Sequence, residues 1–182
     1  MALTAERARP KTAEVSEPWL EAAFRQHWGR VYAVVFRLVG DGDEAQDLTL
    51  EAFWRLYNRP PDLDETRLGG WLYRVATNLG FNALRARRRR RQYEGQAAIS
   101  ALEQNRPQDP ASAVEQAQER QRVQAALGMM RQRSARLLVL RYSDLSYAEI
   151  AETLGVAPAS VGTLLARAEA EFERCYRRLE GG

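Results

Sequence analysis

Residues 70 to 91 read GWLYRVATNLGFNALRARRRRR. At helical spacing Leu72, Val75, Ala76, Leu79 and Ala83 form one apolar stripe, while Trp71, Arg74, Asn78, Phe81, Asn82 and Arg85 take up the rest of the cylinder. One helix therefore carries a core face and a basic, aromatic face. A single nucleic-acid strand asks for that combination: charge for its phosphates, a flat π surface for an unstacked base, and a side-chain amide for the base edge. The arginine cluster that follows, Arg85 and Arg87 to Arg91, repels itself until a polyanion neutralises it. Taken alone, the stretch fits equally a core helix with a solvated basic end.

Working outward, 182 residues suffice for one ordinary domain or two small ones. The net charge of +3 hides an uneven distribution. Asp41, Asp43, Glu44, Asp47, Glu51, Asp62, Asp64 and Glu65 precede the arginine block, which predicts an acidic surface and a basic one for two different partners. A single cysteine, Cys175, and a single histidine, His27, exclude an internal disulfide framework and a zinc site, so no metal and no cofactor is expected. His27 lies among apolar positions and reads as a packed histidine. No apolar run reaches membrane-spanning length, and Met1 to Ser16 holds no signal-peptide core, which points to a soluble, cytoplasmic protein.

The pattern along the chain predicts an all-α fold of two small helical domains joined by a flexible linker. Residues 1–17 are polar and aperiodic and read as a disordered tail. From Pro18, the residues Trp19, Leu20, Ala23, Phe24, His27, Val31, Val34, Val35 and Leu38 recur at helical spacing until Gly-Asp-Gly-Asp at 40–43 stops the helix and caps the next. The second helix, Asp43 to about Asn58, has two apolar stripes: Leu48, Ala52, Phe53 and Leu56, and Leu50, Trp54 and Tyr57. A surface helix needs one stripe, so the second is either buried or kept for a partner. Pro60-Pro61 ends that helix and an acidic loop, Asp62 to Arg67, leads into the opening segment. The first domain is thus 18–94. Residues 95–113, rich in Gln, Ala, Ser and Pro, read as the linker.

The second domain, 114–182, takes its apolar positions from Leu127, Met130, Leu137, Leu138 and Leu140. Ser146-Tyr-Ala-Glu149 has the form of a capping box. Ile150, Ala151 and Leu154 follow, then Gly155 and Pro158-Ala-Ser160-Val161, which opens another helix with Leu164, Leu165 and Ala168. Two short helices about a tight Gly turn describe a helix-turn-helix.

Together these segments resemble the extracytoplasmic-function (ECF) sigma factors, promoter-specificity subunits of bacterial RNA polymerase. Asp47-Leu48-Thr49-Leu50-Glu51-Ala52-Phe53 is similar to the family's Asp-Leu-x-Gln-Glu-x-Phe in region two. Trp71-Leu72-Tyr73-Arg74-Val75-Ala76-Thr77-Asn78 is similar to its Trp-Leu-Tyr-Arg-Ile-Ala-x-Asn, and Ser146 through Ala168 resembles region four. The resemblance implies a non-enzymatic protein whose partners are core RNA polymerase, promoter DNA and an anti-sigma factor. It implies that Asp47, Leu50, Glu51, Phe53, Trp54 and Tyr57 dock on the polymerase. The minus-ten element would be held by Leu68, Trp71, Arg74, Val75, Asn78, Asn82, Arg85, Arg88 and Arg89, with the 61–68 loop helping to hold a flipped base. Ser146, Pro158, Ser160, Val161, Thr163, Leu164 and Arg167 would meet the minus-thirty-five element.

Two positions depart from the family pattern. Leu50 replaces Gln and makes the docking helix more apolar. The recognition helix, usually Gly-Thr-Val-Lys-Ser-Arg, here reads Ala159-Ser160-Val161-Gly162-Thr163-Leu164, so both basic groups are absent and upstream contact is expected to be weak. The rival reading is a free-standing helix-turn-helix regulator, which leaves the Trp71 helix and the two-striped acidic helix without a purpose.

Overall fold

A computed structural model describes residues 18–62, 65–94 and 110–180. All regular elements among them are helical: α1 (Pro18–Val39), α2 (Gly42–Asn58), α3 (Glu65–Glu94), α4 (Pro110–Met129), α5 (Gln132–Tyr142), α6 (Tyr147–Leu154), a 3-10 turn (Pro158–Ser160) and α7 (Val161–Glu180). The expected tail, and residues 95–109 of the expected linker, lie outside the described residues.

The first break falls where the Gly-Asp-Gly-Asp run places it. Gly40 takes φ +68 and donates its N–H to the Phe36 carbonyl at 2.7 Å, closing α1 with a left-handed residue that glycine adopts without strain. Asp41 then N-caps α2, its carboxylate accepting from the Glu44 N–H at 2.8 Å. The turn folds α2 back on α1, and α3 completes a three-helix unit. Its core is mostly aliphatic: Val31, Val34, Val35 and Leu38 from α1, Ala45, Ala52 and Leu56 from α2, and Leu72, Ala76 and Leu79 from α3, with Phe53, Tyr73 and Phe81 among them.

Small residues set how close α1 and α3 come. A Cβ at Gly80 would lie 2.5 Å from Leu38 Cδ1 and 3.0 Å from Leu38 Cβ, closer than packed carbons tolerate. Arg87 fastens the far end of the same pair. It donates to the Val39 carbonyl at 2.7 Å, which the end of α1 leaves without a helical partner, and it also pairs with Glu44. Arg87 is therefore a structural clamp and not one more member of a free arginine block.

In the C-terminal half, α4, α5 and α7 pack around Leu127, Met130, Leu137, Leu138, Leu140, Leu165 and Ala168. Arg131 offers α5 no side-chain cap, and α7 supplies the missing acceptor: Glu171 takes the Arg131 N–H at 2.7 Å and the Ser134 hydroxyl at 2.8 Å. The Ser146–Glu149 capping box forms as its spacing predicts, and Gly155 ends α6 at φ +64. Ala151 is buried where α6 meets its neighbours.

Three expectations need correction. Glu65 to Leu68 belong to α3, so the acidic loop before it is shorter than proline and charge placement implies. Pro110 starts α4, so 110–113 are helical; proline fits a first helical turn because the N–H it lacks has no helical acceptor there. Phe81 is buried at 4 % exposure and belongs to the core, not to the aromatic outer face. The apolar arc of α3 is wider than a single stripe because α1, α2 and the C-terminal half all pack on it.

Gly80→Ala tests the α1–α3 approach. Helix propensity favours Ala by roughly 1 kcal/mol, but Leu38 is fully buried and has nowhere to go. Overpacking wins, with a net loss of about 1–2 kcal/mol expected in urea unfolding; a gain in stability would show that the two helices are not this close.

Candidate polymerase and nucleic-acid interface

The two stripes of α2 part company in the fold. Ala52, Phe53 and Leu56 point inward, and Phe53 packs on Phe24 and Trp28 with ring centroids 4.8 and 5.9 Å away. Leu50, Trp54 and Tyr57 stay 46, 61 and 52 % exposed. Asp47 is exposed beside them, and Glu51 pairs with Arg55 at 2.8 Å. Among the proposed docking residues Phe53 is thus the exception: at 4 % exposure it supports the outer face from beneath and does not lie on it.

On α3, Arg74, Asn82, Arg85, Arg88 and Arg89 reach the surface or its edge, and Leu68, Trp71, Val75 and Asn78 are half-buried. Asn82 accepts from Arg85 at 2.6 Å, which leaves amide and guanidinium side by side on one face. The structure adds what spacing does not reveal: the C-terminal half lies against this face. Arg74 Nε donates to the Thr153 carbonyl at 3.2 Å, Arg136 from α5 donates to Asn78 Oδ1, and Arg88 donates to the Gly128 carbonyl at 3.3 Å.

A small polar cavity of about 280 Å³ sits in the same seam, with His27, Arg30, Tyr73, Glu149 and Glu152 among its lining. Burial first, and then the Arg30 charge, holds the His27 imidazole below its ordinary value, while Glu149 pulls the other way. Burial raises the Glu149 carboxyl, but the Ser146 N–H and hydroxyl and the Arg30 guanidinium outweigh it and leave the group below the usual carboxylate range. Among the described residues no cluster of His, Cys, Asp and Glu is placed to hold a metal ion, and no helix is long and apolar enough to cross a membrane.

The third group of predicted residues divides by exposure. Ser146, Pro158, Ser160, Thr163 and Arg167 are exposed around the start of α7. Ser146 is already engaged in the capping box, accepting from the Glu149 N–H and donating to its carboxylate. Val161 is fully buried and Leu164 half-buried against the core, so neither presents its side chain freely to a DNA edge. A valine there anchors the helix and aims its polar neighbours outward. Arg136 and Thr153 were missed by sequence reasoning, because nothing in their spacing shows that they face a helix 58 and 79 positions away.

Residues 23–90 match the family model for sigma-70 region 2, and residues 120–172 match that for sigma-70 region 4. Over 161 residues, covering 85% of this chain and 59% of its relative, the sequence is 32% identical to the ECF RNA polymerase sigma factor SigE of Mycolicibacterium smegmatis. The chain belongs to the ECF sigma factors. It is also 28% identical to the ECF sigma factor SigW of Bacillus subtilis, covering 82% of this sigma factor and 84% of SigW. The fold is similar to that of the sigma factor RpoE in its co-crystal structure with the anti-sigma factor NepR from Bartonella quintana. That match has a TM-score of 0.53 and 18% identity, and it covers 86% of this chain and 96% of RpoE. The chain spans about 59% of the length of SigE, so it is matched to part of that protein only.

Two outcomes are expected of this surface. A buried His27 binds its proton less readily folded than unfolded, so its contribution to stability is present above the ordinary value of 6.5 and is lost as pH falls from there through the lower folded value. Urea midpoints at about pH 7.5 and about pH 5.5 should show the fall, and His27→Gln should flatten it. At the start of α7, a Cβ on Gly162 would meet only Tyr147, at 3.8 Å, so a longer side chain fits. Gly162→Lys should raise affinity for duplex DNA roughly fivefold at low salt, with the gain lost as salt rises; unchanged affinity would remove this helix from the DNA surface.

Proposed function

We propose that this sigma factor binds core RNA polymerase through the outer stripe of α2, recognises and melts the minus-ten element with α3, and contacts the minus-thirty-five element with the start of α7. One observation carries the reading: Leu50, Trp54 and Tyr57 are exposed in a row beside Asp47 and Glu51, on a helix whose other stripe already satisfies the core. Apolar area of that kind costs solubility and is retained where a partner covers it.

The α3 face supplies the second step. Extruding a base from duplex DNA costs a few kcal/mol, which stacking on an aromatic surface, amide contacts to the base edge and neutralised phosphates offset. Trp71, Asn78 and Asn82 would serve the base, and Arg74, Arg85, Arg88 and Arg89 the backbone. Binding energy suffices for this task, and no catalysis by the chain is required. The site of action is the cytoplasm, with the polymerase. RpoE, similar in fold, is bound by the anti-sigma factor NepR in its solved structure, and we extend to this chain a partner of the same kind. Functional boundaries at 18–94 and 114–182 follow the same reading, with the second unit extended back to Pro110 by its helix.

Gel filtration with core polymerase separates this reading from a free-standing regulator, because a sigma factor comigrates and a repressor does not. Leu50→Ala with Trp54→Ala should weaken the association at least about tenfold while leaving thermal unfolding nearly unchanged, since both side chains are exposed. Arg74→Ala should spare that association and lower runoff transcription. Full association by the α2 double variant would remove α2 from the polymerase interface.

A further inference from the structure

We propose that the cleft lined by α1, α4, α5 and α7 binds a free single-chain carboxylate of the fatty-acid type, with its tail on the apolar base and its head at Arg37 and Arg120. The site lies apart from the polymerase and DNA surfaces and does not depend on how those are read. The cleft encloses about 990 Å³, the size of a small-molecule site. Its base is hydrocarbon: Leu127, Leu138 and Val139 are buried there, with the half-buried Val123 beside them. Phe172 and Phe36 also line it, and Phe36, stacked on Tyr32 with ring centroids 5.8 Å apart, stays 37 % exposed. Apolar area facing a cleft in this way is unfavourable in water until something covers it. The lining runs from Tyr32 to Gly40 on α1 and from Glu119 to Leu127 on α4, each about 12 Å of helix, so an extended chain fits better than a compact ligand.

Charge at the rim selects the head group. The ionised side chains lining the cleft are Arg37, Arg120, Glu119, Glu169 and Glu173. Two of the carboxylates are already engaged: Glu119 accepts from the Tyr176 hydroxyl at 2.7 Å and lies 3.6 Å from Arg122, and Glu173 pairs with Arg177. Arg37, Arg120 and Glu169 form no ion pair among the described residues, which leaves two guanidinium groups against one carboxylate. A guanidinium offers a fork of N–H donors that matches a carboxylate, and the pairing is stronger beside apolar walls than in open water. A cationic amphiphile would meet two like charges instead. Glu169 stands on α7 and repels an anionic head from that side, so the head settles towards α1 and α4, which carry the two arginines.

Titration calorimetry of the full-length chain with octanoate, decanoate and dodecanoate, each below its micelle threshold, tests this. One-site binding is expected, tightening up to roughly fourfold for each added CH2. Dodecyltrimethylammonium, equal in chain length and opposite in charge, should bind at least about tenfold more weakly than dodecanoate. Arg37→Gln with Arg120→Gln should weaken dodecanoate by about tenfold and spare the ammonium compound, with thermal unfolding unchanged because both arginines are exposed. Ala170→Trp, at an exposed lining position, fills the cleft and should abolish binding of both. Equal affinity for the two head groups, or a double variant that binds dodecanoate as the parent does, overturns the proposal. So does binding that never saturates, or that survives Ala170→Trp. Sedimentation gives a further check: a dimer that Ala170→Trp converts to monomers would mean that a second copy covers the cleft, and the carboxylate site falls.

Discussion

The close contact of α3 with α1 is the constraint from which the rest follows. Gly80 lets Leu38 approach to a distance that no side chain would allow, and Arg87 ties the distal end of α3 to the last turn of α1 and to Glu44. With its inner arc fixed this way, α3 has one remaining face, and the sequence fills it with Arg74, Asn78, Asn82 and Arg85. A helix pinned by aliphatic packing presents polar groups in fixed register without spending conformational entropy on binding. The same packing turns α2 so that one of its stripes completes the core and the other, with Trp54 at 61 % exposure, faces out.

The C-terminal half follows a different logic. Two of its helices, α5 and α6, are short, and their ends are secured by specific hydrogen bonds: Ser146 and Glu149 at α6, Gly155 at its end, and Glu171 from α7 for α5. Val161 and Leu165 bury the inner side of α7 and so decide which residues of its first turns are displayed. The outward set, Ser160, Thr163 and Arg167, carries one charge, whereas Arg74, Arg85, Arg88 and Arg89 are all exposed on α3.

Much of this was legible in the chain. The Gly-Asp-Gly-Asp run gave the α1–α2 break, the Ser-x-x-Glu spacing gave the start of α6, and the two stripes of α2 gave one face for the core and one that stays exposed. Those signals are local, since caps, turns and periodicities involve residues within a few positions of each other. Phe81, Val161 and Phe53 show where local reading fails. Each was assigned outward from its position in a motif and lies inside, because burial depends on how many elements pack around a helix and not on the helix's own pattern.

The sequence by itself determined that the protein is helical, that it has two units with a basic and an acidic surface, and which family it resembles, since periodicity, capping chemistry and motif spacing are written in order along the chain. Only the tertiary structure decided that Arg136 reaches Asn78 and that Thr153 accepts from Arg74. Contacts between residues so far apart are set by the mutual orientation of two packed units, a geometry summed over every core side chain between them. No single stretch of residues encodes it.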